Sequence, residues 1–176
     1  MNEALRVLTR RLERGAPPSE QALGALLSAI DFALPSDYLE FIRESDGAEG
    51  WVGEAYLAIW PLHEVVETHR DRSLPVYGPR VVYFAGNGGL ELYAFDASAE
   101  MTTIVEVPRD SIDQEDARPC GTSFEELLRF IRDRAAAEEA EDSDALDESY
   151  RDVVLEWTFP NGPNSRPIGF FRKRDS

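Results

Sequence analysis

The stretch Val81–Asp96, VVYFAGNGGLELYAFD, organises the chain because it predicts a β-hairpin. Asn87-Gly88 at its centre is the strongest short-range hairpin signal, since a type I′ turn needs positive φ at both central residues. A two-residue turn at this point pairs Ala85 with Leu90. That pairing sets the register of both strands and decides which side chains share a face.

Both faces of the predicted hairpin are apolar. One face carries Val81, Tyr83, Ala85, Leu90, Leu92 and Ala94. The other face carries Val82, Phe84, Glu91, Tyr93 and Phe95. We therefore expect the hairpin in the middle of a sheet, covered on both sides or offering one face to a partner. Glu91 would then project among aromatic side chains, where an unpaired charge is costly.

The charge balance narrows the classes of partner. The 176 residues include 34 acidic and 18 basic ones, which gives a net charge of −16. Such a surface repels nucleic acid and anionic membranes and speeds encounter with a basic partner. A solubility device or a salt-adapted surface is an alternative that charge alone leaves open. The length predicts one domain that is large enough to bury its own core.

Cysteine use and apolar runs favour a cytoplasmic protein. The single cysteine, Cys120, cannot form an internal disulfide, which fits a reducing compartment. The N-terminal stretch lacks the apolar core of a signal peptide. The most apolar run, Ala22–Leu34, is interrupted by Asp31 and is shorter than the roughly 18 residues that span a bilayer. We expect no membrane segment.

Apolar spacing predicts five helices around the hairpin. Their apolar stripes are, in chain order, Leu5, Leu8 and Leu12; Leu23, Leu26, Leu27 and Ile30; Tyr38, Phe41 and Ile42; Leu62, Val65, Val66 and His69; and Phe124, Leu127, Leu128 and Ile131. The first helix is expected to end at Gly15, before a pair of prolines. The last begins with a capping box formed by Ser123 and Glu126.

Strands and loops fill the segments between these helices. Alternating apolar residues predict strands at Glu54–Trp60 and Thr102–Val107. Breakers and polar residues predict loops at Asp71–Pro79 and Arg109–Gly121.

Composition changes beyond residue 134. The pattern is an acidic linker or helix end at 135–152, a strand at Val153–Phe159, a turn at Pro160–Pro167 and a returning strand at Ile168–Phe171. A two-stranded hairpin is marginal by itself. We therefore expect this extension, residues 153–176, to dock on the core or on a second subunit.

Several motifs in this order resemble the SUKH superfamily, the Smi/Knr-type domain. They are Leu34-Pro35-x-x-Tyr38-x-x-Phe41, Asp46-Gly47-x-x-Gly50, Trp60 with Leu62 and Glu64, Phe84-Ala85-Gly86-Asn87-Gly88-Gly89 leading into Tyr93-Ala94-Phe95-Asp96, and Ser123-Phe124. The resemblance covers about residues 23–134 of an expected domain at 1–134. The usual Asn-Gly-Gly turn is replaced by Ser45-Asp46-Gly47, which changes the exposed side chains.

The resemblance implies an α+β domain with a largely antiparallel sheet and helices packed against it. Bacterial members are similar to immunity proteins that bind and block a cognate secreted toxin, and fungal members resemble cell-wall synthesis regulators that act as interaction hubs. Neither role is enzymatic. We therefore expect a non-enzymatic protein-binding module, with a basic toxin domain as its partner.

Six residues are candidates for the partner interface. Acidic and aromatic side chains suit a basic partner, and Trp is enriched at interface hot spots. The candidates are Trp51, Glu54, Glu91 and Tyr93, with Asp46 and Glu49 as rim charges. Glu91 pairing with an arginine or lying at a rim is the plainer alternative. Trp60 is expected in the core, and Trp157 leaves the same choice between core and surface open.

Other residue patterns give no cofactor or metal site. His63 and His69 are six residues apart, which places them on opposite sides of one helix rather than at the i, i+4 spacing of metal ligands. Gly86–Gly89 lacks phosphate-loop spacing and leads into a strand, so a turn is expected there. Cys120 has no partner for nucleophilic chemistry, and a hydrolase is the least favoured class.

One alternative function stays open at this point. A small-molecule or peptide sensor, or a regulatory scaffold of the same fold, would use the face between the sheet and the helix at Pro61–Arg70. The oligomeric state is left undetermined by the sequence.

Overall fold

The fold is built on a sheet of seven antiparallel strands. A computed structural model describes residues 1–71, 80–110, 116–150, 153–158 and 168–173, with residues 142–150 and the last two ranges described by their backbone alone. The chain divides into two units, Met1–Ala136 and Ala137–Ser176. The predicted loop after Asp71 and the predicted turn at Pro160–Pro167 lie outside the described residues.

The described residues form five helices and nine strands. The helices are α1 (Glu3–Leu8), α2 (Glu20–Ala29), α3 (Ser36–Glu44), α4 (Leu62–Asp71) and α5 (Phe124–Tyr150). The strands of the first unit are β1 (Leu12–Arg14), β2 (Ala48–Val52), β3 (Ala55–Ile59), β4 (Val81–Gly86), β5 (Glu91–Asp96), β6 (Thr103–Pro108) and β7 (Arg118–Gly121). Their order in the sheet follows the chain, and every neighbouring pair is antiparallel. The predicted α+β class with a largely antiparallel sheet is confirmed.

The predicted hairpin, β4 and β5, lies in the middle of this sheet and is apolar on both faces, as expected. One face joins the main core, to which all five helices contribute buried side chains. The other face joins a second apolar cluster on β4, β5 and β6, whose members are 0–7% exposed. They are Val81, Tyr83, Leu92, Ala94, Val105 and Val107.

A cluster of aromatic side chains joins α3, the helix that follows Leu34-Pro35, to the hairpin. Phe84 of β4 and Phe95 of β5 stack with ring centroids 4.0 Å apart. The ring of Tyr38 on α3 meets both edge-on, at 5.1 Å and 4.8 Å. Each such pair contributes about 0.5–1.5 kcal/mol beyond the burial of its surface. The predicted buried stripe of α3 is thereby confirmed.

The hairpin turn is longer than predicted, which shifts the register. The backbone N–H of Asn87 donates to the carbonyl of Glu91 at 3.1 Å, and Gly88 has a φ of 76°. A bulge between Tyr83 and Ala85 then changes the pairing so that Ala85 lies opposite Tyr93. The sequence predicted that Ala85 and Leu90 share a face with Tyr83 and Leu92, and this prediction was wrong. Ala85 lies in the main core, and Leu90 is 66% exposed.

Three short strands differ from the sequence predictions. The first helix ends at Leu8 rather than at Gly15, and the chain then forms β1. β2 contains Trp51, which was expected in a loop, and β7 occupies the end of the predicted polar loop. β1, β2 and β7 are only 3–5 residues long, so hydrogen bonding to neighbouring strands, rather than a local apolar pattern, stabilises them.

Leu27 of α2 was predicted in an apolar stripe but is half-exposed.

A carboxylate from α3 caps the start of α5. Asp37 accepts hydrogen bonds from the backbone N–H groups of Phe124 at 3.2 Å and Glu125 at 2.9 Å. Ser123 accepts from the N–H of Glu126 at 3.2 Å, which confirms half of the predicted capping box. The Glu126 carboxylate instead accepts from the backbone N–H of Thr122, and this bond holds its pKa below the ordinary value.

The second unit contains one antiparallel pair, β8 (Val153–Thr158) and β9 (Ile168–Lys173). Leu155 lies opposite Phe171 in the register of this pair. Docking of this extension on the core or on a second subunit stays a prediction. No helix among the described residues is both long and apolar enough to cross a membrane.

Candidate functional site

The half of the sheet formed by β1, β2 and β3 has an open face. Alternation along β2 and β3 sends Val52 and Leu57 into the main core and leaves Trp51 and Tyr56 on the opposite face. Trp51 is 45% exposed, and its ring meets that of Tyr56 edge-on at 5.8 Å. The Tyr56 hydroxyl donates to the carboxylate of Glu49 at 2.8 Å, and this bond raises the pKa of Tyr56. The result is an aromatic pair, with Trp51 exposed and Tyr56 half-buried, held by a carboxylate.

The turn between β4 and β5 closes against this pair. Gly88 approaches so closely that a Cβ there would lie 3.0 Å from the ring of Tyr56. Asn87 organises the turn, since its Oδ1 accepts from the backbone N–H groups of Gly89 at 2.9 Å and Glu91 at 3.2 Å. The Asn87 amide also donates to the carboxylate of Glu91. Glu91 is therefore half-buried at the end of its strand and hydrogen-bonded to Asn87.

One groove lies between the open face and α4, and we call it the α4 groove. Its volume is about 440 Å³. Its lining includes Ala58, Trp60, Glu64, Glu67, Glu91, Leu92 and Arg109. The groove forms where β3 and β4 separate, because only two residue pairs join these strands. Its floor is apolar and its walls carry carboxylates.

A second groove, which we call the β1 groove, adjoins the first. Its volume is about 460 Å³, and it shares Ala58, Trp60 and Glu64 with the α4 groove. Glu13 and Asp46 also line it, together with Glu49. The two grooves thus form one continuous surface on either side of Trp60.

Asp46 has a structural role in this surface. Its Oδ1 accepts the backbone N–H of Leu62 at 2.7 Å, at the start of α4. A carboxylate at a helix start is stabilised by the unpaired N–H groups and the helix dipole. The motif residue that was expected as a rim charge therefore also positions the helix that walls both grooves.

The structure brings most of the predicted site residues together. Asp46 and Glu49 line the β1 groove, Glu91 lines the α4 groove, and Trp51 lies beside Tyr56 on the same face. Glu54 lies in the turn between β2 and β3 and pairs with Arg11 at 3.1 Å.

Tyr93 is separated from this surface. It is fully buried in the main core, because alternation along β5 places it on the face that the helices cover. Burial and the nearby charge of Glu106 raise the pKa of its hydroxyl. Glu106 in turn is buried and pairs with Arg134 of α5. Tyr93 thus belongs to a buried cluster beneath α5 rather than to a partner surface. Glu91, expected either among the hairpin's aromatic side chains or at a rim, is half-buried, hydrogen-bonded to Asn87 and lines the α4 groove.

Sequence reasoning missed four residues of this surface: Glu13, Tyr56, Glu64 and Glu67. Two signals could have found three of them. Tyr56 alternates with the core residues of β3, so it must lie on the outer face. Glu64 and Glu67 fall between the buried positions of α4, three residues apart, so they share its outer side.

Unbalanced negative charge dominates the two grooves. Six carboxylates line them against two arginines. Arg14 is engaged, since its guanidinium pairs with Glu44 at 3.4 Å and lies over the ring of Phe41. Arg109 forms no ion pair with any residue that the structure describes. The surface therefore favours a cationic group.

Comparison with known proteins agrees with this architecture. No curated protein matches the chain. The model of the SMI1 / KNR4 family (SUKH-1) matches residues 17–129, which include α3, the central hairpin and the start of α5. The chain belongs to the SMI1/KNR4 (SUKH-1) family.

Proposed function

We propose that this protein is a non-enzymatic binding module that captures and neutralises a cognate toxin domain with a basic surface. The observation that carries the proposal is the open sheet face, on which the exposed Trp51, paired with the half-buried Tyr56, adjoins two acidic grooves. Membership of the SMI1/KNR4 (SUKH-1) family supports a role in binding a protein, since the resemblance implies bacterial members similar to immunity proteins.

The two parts of this face would contribute differently to binding. An exposed tryptophan next to a tyrosine supplies apolar contact area with little conformational entropy to lose, and such residues carry much of the energy of interfaces. The carboxylates would mainly speed encounter and orient a basic partner, helped by the net charge of −16.

The edges of the sheet are poorly suited to partner binding by strand addition. The edge strand β1 has three residues, and the other edge strand, β7, has four and includes Pro119. Short edge strands and proline both discourage pairing with another chain. A face, rather than an edge, is therefore the surface that we assign to the partner.

Capture followed by growth rescue tests the proposal. Tagged protein is used to isolate partners from the source organism, and the captured protein is identified by mass. We expect a toxin domain that stops bacterial growth when expressed alone and permits growth when co-expressed with this protein. A captured partner that is not toxic, or toxicity unchanged by co-expression, would refute the toxin-neutralising role.

A matched pair of variants tests the surface. Trp51 on the open face and Leu27 on α2 are 45% and 49% exposed. Trp51→Ala should weaken capture by about tenfold or more, as at an interface hot spot, whereas Leu27→Ala should leave it unchanged. Equal effects of both changes would exclude the open face as the binding surface.

The α4 groove also supports the alternative of a small-molecule or peptide sensor. It lies between the sheet and α4, where such a site would be expected from the sequence, and its volume of about 440 Å³ suits a small ligand. Native mass spectrometry of protein purified from the source organism distinguishes the two. A bound metabolite of defined mass would favour the sensor.

A further inference from the structure

We propose that the α4 groove receives the side chain of a single arginine or lysine from the partner. The stem of that side chain would lie along Trp60, and its charged end would lie among Glu64, Glu67 and Glu91. The inference rests on the proposed function, since it names the chemistry that the partner must present at this surface.

The floor of the groove suits the stem of a long cationic side chain. Trp60 is half-buried and packs against both the main core and the second apolar cluster. Its backbone N–H donates to the carbonyl of Phe84 at 2.9 Å, which fixes the main chain of Trp60 at the point where β3 leaves β4. Ala58 and the buried Leu92 complete an apolar floor. Arginine and lysine stems bury their methylenes on such surfaces, and an indole face attracts the cationic end.

The walls of the groove carry carboxylates from two different elements. Glu64 and Glu67 are exposed and lie three residues apart on α4. Glu91 comes from β5 and is held in place by the amide of Asn87. Carboxylates that converge on one groove from separate elements suit the several donors of a guanidinium better than a row along one helix does. This groove differs from the rest of the acidic surface because it combines the Trp60 indole with carboxylates from both α4 and β5.

The chain's own Arg109 already lines the same groove. Its backbone N–H donates to the carbonyl of Leu90 at 2.6 Å, which holds the residue beside the turn. Its side chain is exposed and forms no ion pair with the residues that the structure describes. It therefore offsets part of the negative charge that a partner's cation would meet. Removing Arg109 should strengthen binding of a cation in this groove.

The test uses a defined peptide and needs no knowledge of the toxin. Acetyl-Gly-Arg-Gly-amide is titrated into ¹⁵N-labelled full-length protein, and its citrulline counterpart, which has the same shape without the charge, is the control. We expect saturable shifts confined to the Trp60 indole and to the amides of Glu67, Gly89 and Leu92. Shifts scattered over the acidic surface, or equal shifts with the citrulline peptide, would overturn the inference.

Three variants assign the effect to the groove. The double change Glu64→Gln and Glu67→Gln should weaken arginine-peptide binding by about tenfold at low salt, and Arg109→Ala should strengthen it by about threefold. The double change Glu3→Gln and Glu20→Gln removes the same charge from α1 and α2 and should leave it unchanged. A loss of equal size in both double variants would show that only net charge matters and would overturn the inference.

The two proposals can fail separately. Peptide binding in the groove together with a captured partner that is not toxic would support the cation site and refute the toxin-neutralising function. A captured toxin whose affinity is unaffected by Glu64→Gln and Glu67→Gln would support the function and overturn the cation site.

Discussion

The cap that Asp37 places on α5 should carry a large part of the stability of the first unit. Its carboxylate accepts two N–H groups of the first turn of α5, at 3.2 Å and 2.9 Å, from 87 and 88 residues away in the chain. These N–H groups have no partner within the helix itself. Asp37→Ala therefore leaves them without their acceptor and also loosens α3 from α5.

The size of the effect follows from the two bonds. Hydrogen bonds to a charged group contribute about 1.5–3 kcal/mol each, and deletion of a helix cap costs about 0.5–2 kcal/mol. Because water replaces part of the loss at a half-buried site, we expect Asp37→Ala to lower the free energy of unfolding by about 2–4 kcal/mol. Asp37→Asn should fall between this variant and the parent, since its amide retains one acceptor oxygen but lacks the charge.

Equilibrium unfolding in urea, followed by tryptophan fluorescence, measures this loss. With a slope of about 2 kcal/mol per molar urea, the midpoint should fall by about 1–2 M. Asp133→Ala is the control, because Asp133 is an exposed carboxylate on the same helix, paired with the neighbouring Arg132. It should shift the midpoint by less than about 0.3 M. Equal midpoints for Asp37→Ala and Asp133→Ala would refute the long-range cap.

Three further predictions follow from buried groups. The Tyr38 hydroxyl is buried and has no hydrogen-bond partner among the described residues, so Tyr38→Phe should leave the free energy of unfolding unchanged or raise it by about 1 kcal/mol; a marked loss in urea unfolding would show an unseen partner. Burial raises the pKa of Tyr38 above 10.0 and that of Cys120 from 9.0 to about 12. The unfolded chain therefore releases these protons first, and stability should fall as pH rises above about 9, more steeply in the parent than in Tyr38→Phe. At about pH 8, the native Cys120 thiol should react with Ellman's reagent about a thousandfold more slowly than after unfolding in urea; rapid native reaction would contradict its burial.

The sequence alone determined those helices and strands whose formation depends on residues close to one another in the chain. The stripe of Tyr38, Phe41 and Ile42 has helical spacing and is buried as that spacing predicts. The two-sided apolar pattern of the hairpin was enough to place it in mid-sheet, because a solvated edge cannot carry apolar residues on both faces. The motifs also identified the family, since recognising them requires only the residues and their order along the chain.

Tertiary structure decided which residues meet. The bulge near Ala85 and the longer turn at Asn87 shifted the strand register, and no local rule anticipates either, because strands of this length take their register from their neighbours. Alternation along β5 puts Tyr93 on the same face as Phe95. Tyr93 is buried there because side chains from all five helices pack on that face.

The candidate site shows the same division. Acidic and aromatic residue types pointed to a basic protein partner, and Trp51, Asp46, Glu49 and Glu91 do lie on or beside one surface. The grooves themselves are assembled from β1, β3, α4 and β5, which together span residues 12–96 of the chain. Their shape depends on where β3 separates from β4, and that is set by packing over the whole sheet rather than by any single stretch of residues.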